Sequence, residues 1–116
     1  MKSHGLADGL RYALAGLREA YSSERNFRVQ LLAAAFAVVT VLWLQPPLIW
    51  AALIGVMIGL VLAAELVNSA LERTLDGLHP ERAEFVRIAK DCAAAAVLVL
   101  SVTSVVVFVL MLADVL

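Results

Sequence analysis

The stretch 29-VQLLAAAFAVVTVLWLQPPLIWAALIGVMIGLVLAA-64 runs for 36 residues without a charge. A membrane-spanning helix needs roughly 20 apolar residues, within a range of about 17–25, so this stretch is long enough to cross a bilayer twice. The break falls at Gln45-Pro46-Pro47, because proline lacks the N–H that an α-helix requires and a proline pair forces a tight loop. The first span is therefore expected at about 29–45 and the second at about 48–67. A further charge-free run of 22 residues, Cys92–Ala113, places a third span at about 92–113.

Working outward, the composition agrees. Of the 116 residues 63% are hydrophobic and 16% charged, and the mean hydropathy is +0.92. A soluble domain is about half apolar and about one quarter charged, and so few charges cannot cover a small water-soluble globule. A two-domain enzyme and a disordered chain are excluded on these grounds. A net charge of −1 offers no basic field to nucleic acid. The single Cys92 cannot form an internal disulfide, and within an apolar run it reads as a small hydrophobe. His4 and His79 lack zinc-ligand spacing, whereas a magnesium site, built from carboxylates, stays open.

Orientation follows from the basic residues. Lys2, Arg11, Arg18, Arg25 and Arg28 precede the first span, and Arg73, Arg82, Arg87 and Lys90 lie between the second and third. All nine fall on one side of a three-span topology, which the positive-inside rule makes cytoplasmic, with the N-terminus inside and the C-terminus outside. The first 28 residues are too charged for a secretory signal and have no early apolar core. Within them, Leu6, Leu10, Ala13, Leu14, Leu17 and Tyr21 recur at helical spacing opposite Asp8, Arg11, Ala15, Arg18 and Ser22. This predicts an amphipathic helix over about 6–22 lying on the cytoplasmic bilayer surface, although a helix docked on a protein partner has the same pattern. Gly55, Gly59 and Ala63 recur at four-residue steps in the second span, the spacing that lets helix backbones approach closely in lipid and favours self-association.

Beyond this comes Glu65, Asn68, Glu72 and Asp76, spaced i, i+3, i+7 and i+11, within an arc of roughly 60–80° on a 3.6-residue helix. Leu48 to Glu65 is 17 steps, or about 26 Å at 1.5 Å per residue, against a hydrocarbon core about 30 Å thick. Glu65 thus sits at the cytoplasmic boundary, and the helix continues to about 76. A carboxylate at that level is expensive unless paired, hydrated or neutralised, and partial desolvation suits it to general-base chemistry near neutral pH. Glu24 just before the first span, and Lys90 and Asp91 just before the third, fall at the same depth. Oxygen ligands for a cation with an ammonium for phosphate suit a magnesium–nucleotide. No GxxxxGK[ST] or GxGxxG occurs, so the phosphate grip is neither a P-loop nor a protein-kinase loop. Glu65 as a packing residue paired with a basic loop side chain, and Glu72 and Asp76 as solvating charges at an exposed helix end, are the plainer alternatives.

The run Glu65-Leu-Val-Asn68-Ser69-Ala70-Leu-Glu72 with Asp76, together with Ala89-Lys90-Asp91 and Glu24-Arg25-Asn26-Phe27-Arg28, resembles the signature of the prokaryotic diacylglycerol kinase family over nearly the whole chain. The resemblance implies an all-α, homotrimeric membrane enzyme of the bacterial cytoplasmic membrane, one domain over 1–116, transferring the γ-phosphate of MgATP to a membrane lipid hydroxyl. It implies Glu65 as the general base, Glu24 and Glu72 as magnesium ligands, and Asn68 as the group orienting lipid or base. Lys90 is implied to neutralise phosphate charge, with Asp91 and Asp76 helping to hold the nucleotide. Tyr12, Gly16 and Arg18 match the family's surface helix, with Tyr12 a candidate near the adenine. Ala93-Ala94 after the Lys-Asp pair, together with the Glu24-Arg25-Asn26-Phe27-Arg28 run, is more similar to the branch that phosphorylates undecaprenol than to the enterobacterial branch, which has Gly-Ser after that pair and an arginine where this chain has Gly5. Undecaprenol is accordingly the expected acceptor, with diacylglycerol the alternative. A small multidrug exporter would need four spans and a deep acidic residue in the first. A non-catalytic membrane adaptor would tolerate loss of Glu65. A reporter fused after Leu116 is expected on the outer side of the membrane; a cytoplasmic reporter would contradict the three-span topology.

Overall fold

Glu24 and the Gln45-Pro46-Pro47 turn divide the N-terminal half of the chain into helices. A computed structural model describes residues 5–79 and 83–116; Lys2, His4 and Arg82, used above, lie outside the described residues. Among the described residues the elements are α1 (Leu6–Ser23), α2 (Arg25–Leu44), α3 (Leu48–Leu78) and α4 (Glu84–Val115), with no strand.

α1 starts with Asp8 in its first turn, where a negative charge suits the helix dipole. It stops because Glu24 adopts an extended conformation (φ −113°, ψ 107°). That single residue is also the N-cap of α2, so the two helices meet at an elbow. Arg28 caps the elbow from the α2 side, donating through Nη1 to the Tyr21 carbonyl at 2.8 Å and the Ser22 carbonyl at 3.3 Å. These are carbonyls of the last turn of α1, which have no partner within the helix.

At the other end of α2, Gln45 takes the left-handed conformation (φ 50°, ψ 55°). Its backbone N–H donates to the Val41 carbonyl, and its Nε2 donates to the Leu42 carbonyl at 2.7 Å. Pro46 cannot continue the ladder, and Pro47 becomes the N-cap of α3. Across this end of the bundle, Trp50 Nε1 donates to Asp114 Oδ2 at 2.8 Å, tying the start of α3 to the end of α4.

α2, α3 and α4 are each long and apolar enough to cross a membrane, whereas α1 is not among these candidates. The helices extend past the charge-free runs on the charged side: α2 starts at Arg25, α3 ends at Leu78 and α4 starts at Glu84. With 31 residues, α3 is about 46 Å long at 1.5 Å per residue, well over the hydrocarbon thickness of about 30 Å. It runs unbroken through Glu65, Asn68, Glu72 and Asp76.

The core within one chain is thin. α3 packs most extensively on α4 and less on α2, with α1 touching α2 and α3 only lightly. The buried positions of α3 are Ile54, Met57, Val61, Glu65 and Ser69, one stripe at spacings of three and four residues. Met111 of α4 is fully enclosed, and Phe36 and Phe108 stack at 5.9 Å between α2 and α4. Most other large apolar side chains of the three long helices are exposed, a surface suited to hydrocarbon and unsustainable in water. The packing expected on Gly55, Gly59 and Ala63 is not used inside the chain: all three are exposed, and a Cβ at either glycine would meet nothing within 4 Å. The apolar face of α1 is likewise uncovered, with Leu6, Leu10, Leu14, Leu17 and Tyr21 exposed.

Trp50→Phe removes the bridge to Asp114 and is expected to lower the unfolding free energy in detergent by about 0.5–1.5 kcal/mol, measured by thermal or denaturant unfolding; no change would mean that packing alone holds this end of the bundle.

Candidate active site

Glu65 occupies a position that an apolar residue would ordinarily take. It continues the buried stripe of α3 beyond Ile54, Met57 and Val61 and is itself only 3% exposed. Asn68, one turn further on, presents its side chain to the carboxylate as a hydrogen-bonding neighbour. Asn68 Oδ1 and Ser69 Oγ are buried and, among the described residues, unpartnered. Buried polar atoms without partners are rare in folded proteins and mark places that something else completes. Here they gather beside a buried carboxylate.

Two more carboxylates act electrostatically on Glu65: Glu24 from the elbow and Glu72 from the next turns of α3. Glu24 reaches this layer because the extended conformation at the elbow places it against α3. Arg73 of α3 holds it there, pairing with Glu24 Oε2 at 3.4 Å and Glu19 Oε2 at 3.3 Å, and donating to Ser23 Oγ. One guanidinium thus grips the last turn of α1 and the elbow together. Arg73 was not among the residues singled out by sequence, nor was Ser69. The acidic–basic neighbours Glu72-Arg73 gave no sign that the arginine would reach back some fifty residues.

A second cluster joins α3 to α4. Lys90 Nζ pairs with Asp76 Oδ1 at 2.6 Å, bringing together two residues predicted for nucleotide contact. Asp91 is separate: it pairs with Arg87 at 3.0 Å on the exposed side of α4, where Arg87 also meets Glu84 at 2.6 Å. Tyr12 and Arg18 lie on the exposed surface of α1. Arg11 sits over the Tyr12 ring at 5.5 Å. Among the described residues no hydrogen bond or ion pair connects Tyr12 or Arg18 to α3 or α4. The chain therefore brings together Glu24, Glu65, Asn68 and Glu72, sets Asp76 and Lys90 beside each other, and leaves Tyr12, Arg18 and Asp91 apart.

Among the described residues no three His, Cys, Asp or Glu side chains converge as a cage for a metal ion. Magnesium does not ask for one in a nucleotide site: it keeps near-octahedral geometry with one or two carboxylates, the remaining ligands being phosphate oxygens and water. Glu24 and Glu72, each in electrostatic reach of Glu65, fit that donor chemistry.

A three-span membrane protein with a carboxylate-lined site at one end of its bundle is thus the class that fold and site define. Residues 11–112 match the family described as prokaryotic diacylglycerol kinase. A diacylglycerol kinase of Synechocystis sp. is 36% identical over 98 residues, 84% of this chain and 56% of its own length, so the chain spans just over half of that relative. The diacylglycerol kinase of Escherichia coli K12 is 35% identical over 101 residues, 87% of this chain and 83% of its own length. The undecaprenol kinase of Bacillus subtilis is 33% identical over 89 residues, 77% of this chain and 72% of its own length. The chain belongs to the prokaryotic diacylglycerol kinase family, a family of small ATP-dependent membrane lipid kinases.

Arg73→Ala is expected to loosen the elbow, seen as faster amide hydrogen exchange over residues 19–24 with α3 and α4 unaffected. Unchanged exchange there would assign the elbow to Arg28 alone.

Proposed function

We propose that this protein transfers the γ-phosphate of MgATP to the primary hydroxyl of diacylglycerol, giving phosphatidic acid. The observation that carries the chemistry is Glu65, a buried carboxylate beside unpartnered Asn68 Oδ1 and Ser69 Oγ, at the level where the apolar part of α3 gives way to its polar extension. The choice of lipid rests on the comparisons: the Synechocystis and Escherichia coli relatives named for diacylglycerol align over more of the chain, and at slightly higher identity, than the one named for undecaprenol. This reverses the order of the two lipids drawn from Ala93-Ala94. Undecaprenol remains the second reading on the strength of that alanine pair.

In this reading Asn68 donates its amide N–H to the Glu65 carboxylate and so aims it at the lipid hydroxyl, whose oxygen faces the phosphorus. Glu65 takes the hydroxyl proton as the new O–P bond forms and the bond from the γ-phosphorus to the β,γ-bridging oxygen breaks. When bound, MgATP supplies the phosphoryl group with part of its charge already neutralised. Glu24 and Glu72 hold the cation through carboxylate oxygens. Lys90 exchanges its pairing with Asp76 for phosphate, an exchange that costs little because exposed ion pairs contribute little. Asp76 and Asp91 border the nucleotide, and Tyr12 and Arg18 on α1 meet its base from the surface helix. α1 lies on the cytoplasmic face of the bacterial inner membrane with its uncovered apolar face in the lipid. The N-terminus is inside and the C-terminus outside. Three copies associate, with the open Gly55, Gly59 and Ala63 face available for contact between them.

Purified protein in mixed micelles is expected to move labelled γ-phosphate to diacylglycerol faster than to undecaprenol. Glu65→Gln is expected to slow transfer by about 10²–10⁴-fold, the usual contribution of a general base, with helical content retained. Preference for undecaprenol would keep the chemistry and reverse the acceptor, and a Glu65→Gln protein as active as the parent would remove the base.

A further inference from the structure

The carboxylate presented by the elbow is gripped from α3, and the grip comes from the residue next to Glu72. Arg73 uses two nitrogens for it. Nη1 meets Glu19 Oε2 at 3.3 Å, while Nη2 meets Glu24 Oε2 at 3.4 Å and donates to Ser23 Oγ. Among the described residues no hydrogen bond or ion pair is made by the other oxygen of Glu24, Oε1. One oxygen is held and its twin is left open.

Stability does not account for this arrangement. The side chains of Arg73 and Glu19 are 49% and 61% exposed, and ion pairs at such exposure contribute little to folding. The geometric effect is larger. Adjacent Cα atoms lie about 3.8 Å apart, so a contact made by Arg73 ties Glu24 to the turn of α3 that carries Glu72. Glu24 itself stands at an elbow where a single extended residue joins α1 to α2. Without the tie, its separation from Glu72 would rest on that elbow. Charge is settled in the same contact, because Glu19 answers Arg73 as well. Two carboxylates against one guanidinium leave one net negative charge for a cation at Glu24.

We infer that Arg73 is a positioning residue that sets the spacing of Glu24 from Glu72 and so selects a small octahedral cation over a larger one. This rests on the reading of Glu24 and Glu72 as magnesium ligands and names the residue that tunes their site. Magnesium demands near-ideal octahedral geometry with ligands at about 2.0–2.1 Å, whereas calcium accepts irregular shells of oxygens at about 2.3–2.6 Å. Two carboxylates on separate helices satisfy the stricter ion only when their separation is fixed. Hydrogen-bond partners of ligating carboxylates serve this purpose, and losing one typically costs about 10–100-fold in metal affinity. Arg73 acts from Oε2 and leaves Oε1 as the donor atom. Its planar fork reaches Glu19, Ser23 and Glu24 together, a reach that the single ammonium of a lysine does not reproduce.

The test uses full-length protein reconstituted in bilayers with Mn²⁺ and a non-hydrolysable ATP analogue, bound manganese being read by electron paramagnetic resonance. Mg²⁺ and Ca²⁺ are titrated as competitors, which gives their affinities without turnover. In Arg73→Ala magnesium is expected to lose about tenfold or more in affinity and calcium much less, so the preference for magnesium falls. Arg73→Lys keeps the charge and loses the fork; it is expected to show the same fall and serves if Arg73→Ala does not fold. An arginine that only holds the elbow predicts that both cations change equally, however fast the amides of residues 19–24 exchange. An unchanged preference therefore overturns the proposal. Tighter binding of both cations in Arg73→Ala, the mark of an arginine competing for Glu24, overturns it too, as does a parent-like preference in Arg73→Lys. Glu24→Gln separates the proposal from the reading beneath it. Weaker binding in Glu24→Gln with an unchanged preference in Arg73→Ala keeps Glu24 as a ligand and removes the clamp alone. Binding as tight in Glu24→Gln as in the parent removes the ligand, and the clamp with it.

Discussion

A buried carboxylate on the packing stripe of a membrane helix is the constraint from which the rest of this protein follows. Glu65 takes the place where α3 would otherwise present a fourth apolar side chain to its neighbours. Placing a charge at that level is expensive, and residues that stay there are seldom structural. Its surroundings add to the cost: Glu24 and Glu72 both bring like charge within reach, and Asn68 Oδ1 and Ser69 Oγ are enclosed without partners. Strained electrostatics of this kind, gathered in one layer, are characteristic of functional sites. In the proposed function a divalent cation answers these carboxylates.

The helices around Glu65 are shaped to make that layer. The elbow at Glu24 turns the chain from α1 into the first span, and Arg28 and Arg73 hold it from opposite sides. α3 outruns the hydrocarbon thickness, so its last turns carry Glu72, Arg73 and Asp76 beyond the spanning part. α4 starts early enough for Lys90 to meet Asp76. In the proposed function a hydrophilic nucleotide approaches from the polar end, while the lipid reaches the same carboxylate from within the bilayer. The apolar surfaces of α2, α3 and α4 and the apolar face of α1 are left uncovered within the chain.

Much of this could be read from the sequence, for identifiable reasons. Charge-free runs and a proline pair locate spans because the cost of an unpaired backbone group or a charge in hydrocarbon dwarfs subtler preferences. The arc of Glu65, Asn68, Glu72 and Asp76 needed only helical periodicity, which α3 keeps. Partners across helices were not legible. The Gly55-Gly59-Ala63 spacing signals that a close approach is possible, but it does not say to what. Inside the chain the bulky stripe of Ile54, Met57 and Val61 took the contacts instead. Arg73 reaching the elbow and Gln30 reaching Ser101 join residues some fifty and seventy positions apart, which no local pattern encodes. The acceptor lipid is the least legible feature: Ala93-Ala94 and the Glu24–Arg28 run favour undecaprenol, whereas the relatives named for diacylglycerol match at slightly higher identity than the one named for undecaprenol, and small side chains beside a site say little about what occupies it.

The central claim is that Glu24 and Glu72 meet at Glu65 to hold a metal–nucleotide. Binding of Mn²⁺ together with a non-hydrolysable ATP analogue, followed by electron paramagnetic resonance on the bilayer-reconstituted protein, tests it without relying on turnover. The account predicts a bound manganese–nucleotide signal in the parent protein, weakened about tenfold or more in affinity by either Glu24→Gln or Glu72→Gln, as expected for loss of a charged ligand. Equal affinity in the parent and both variants would contradict it.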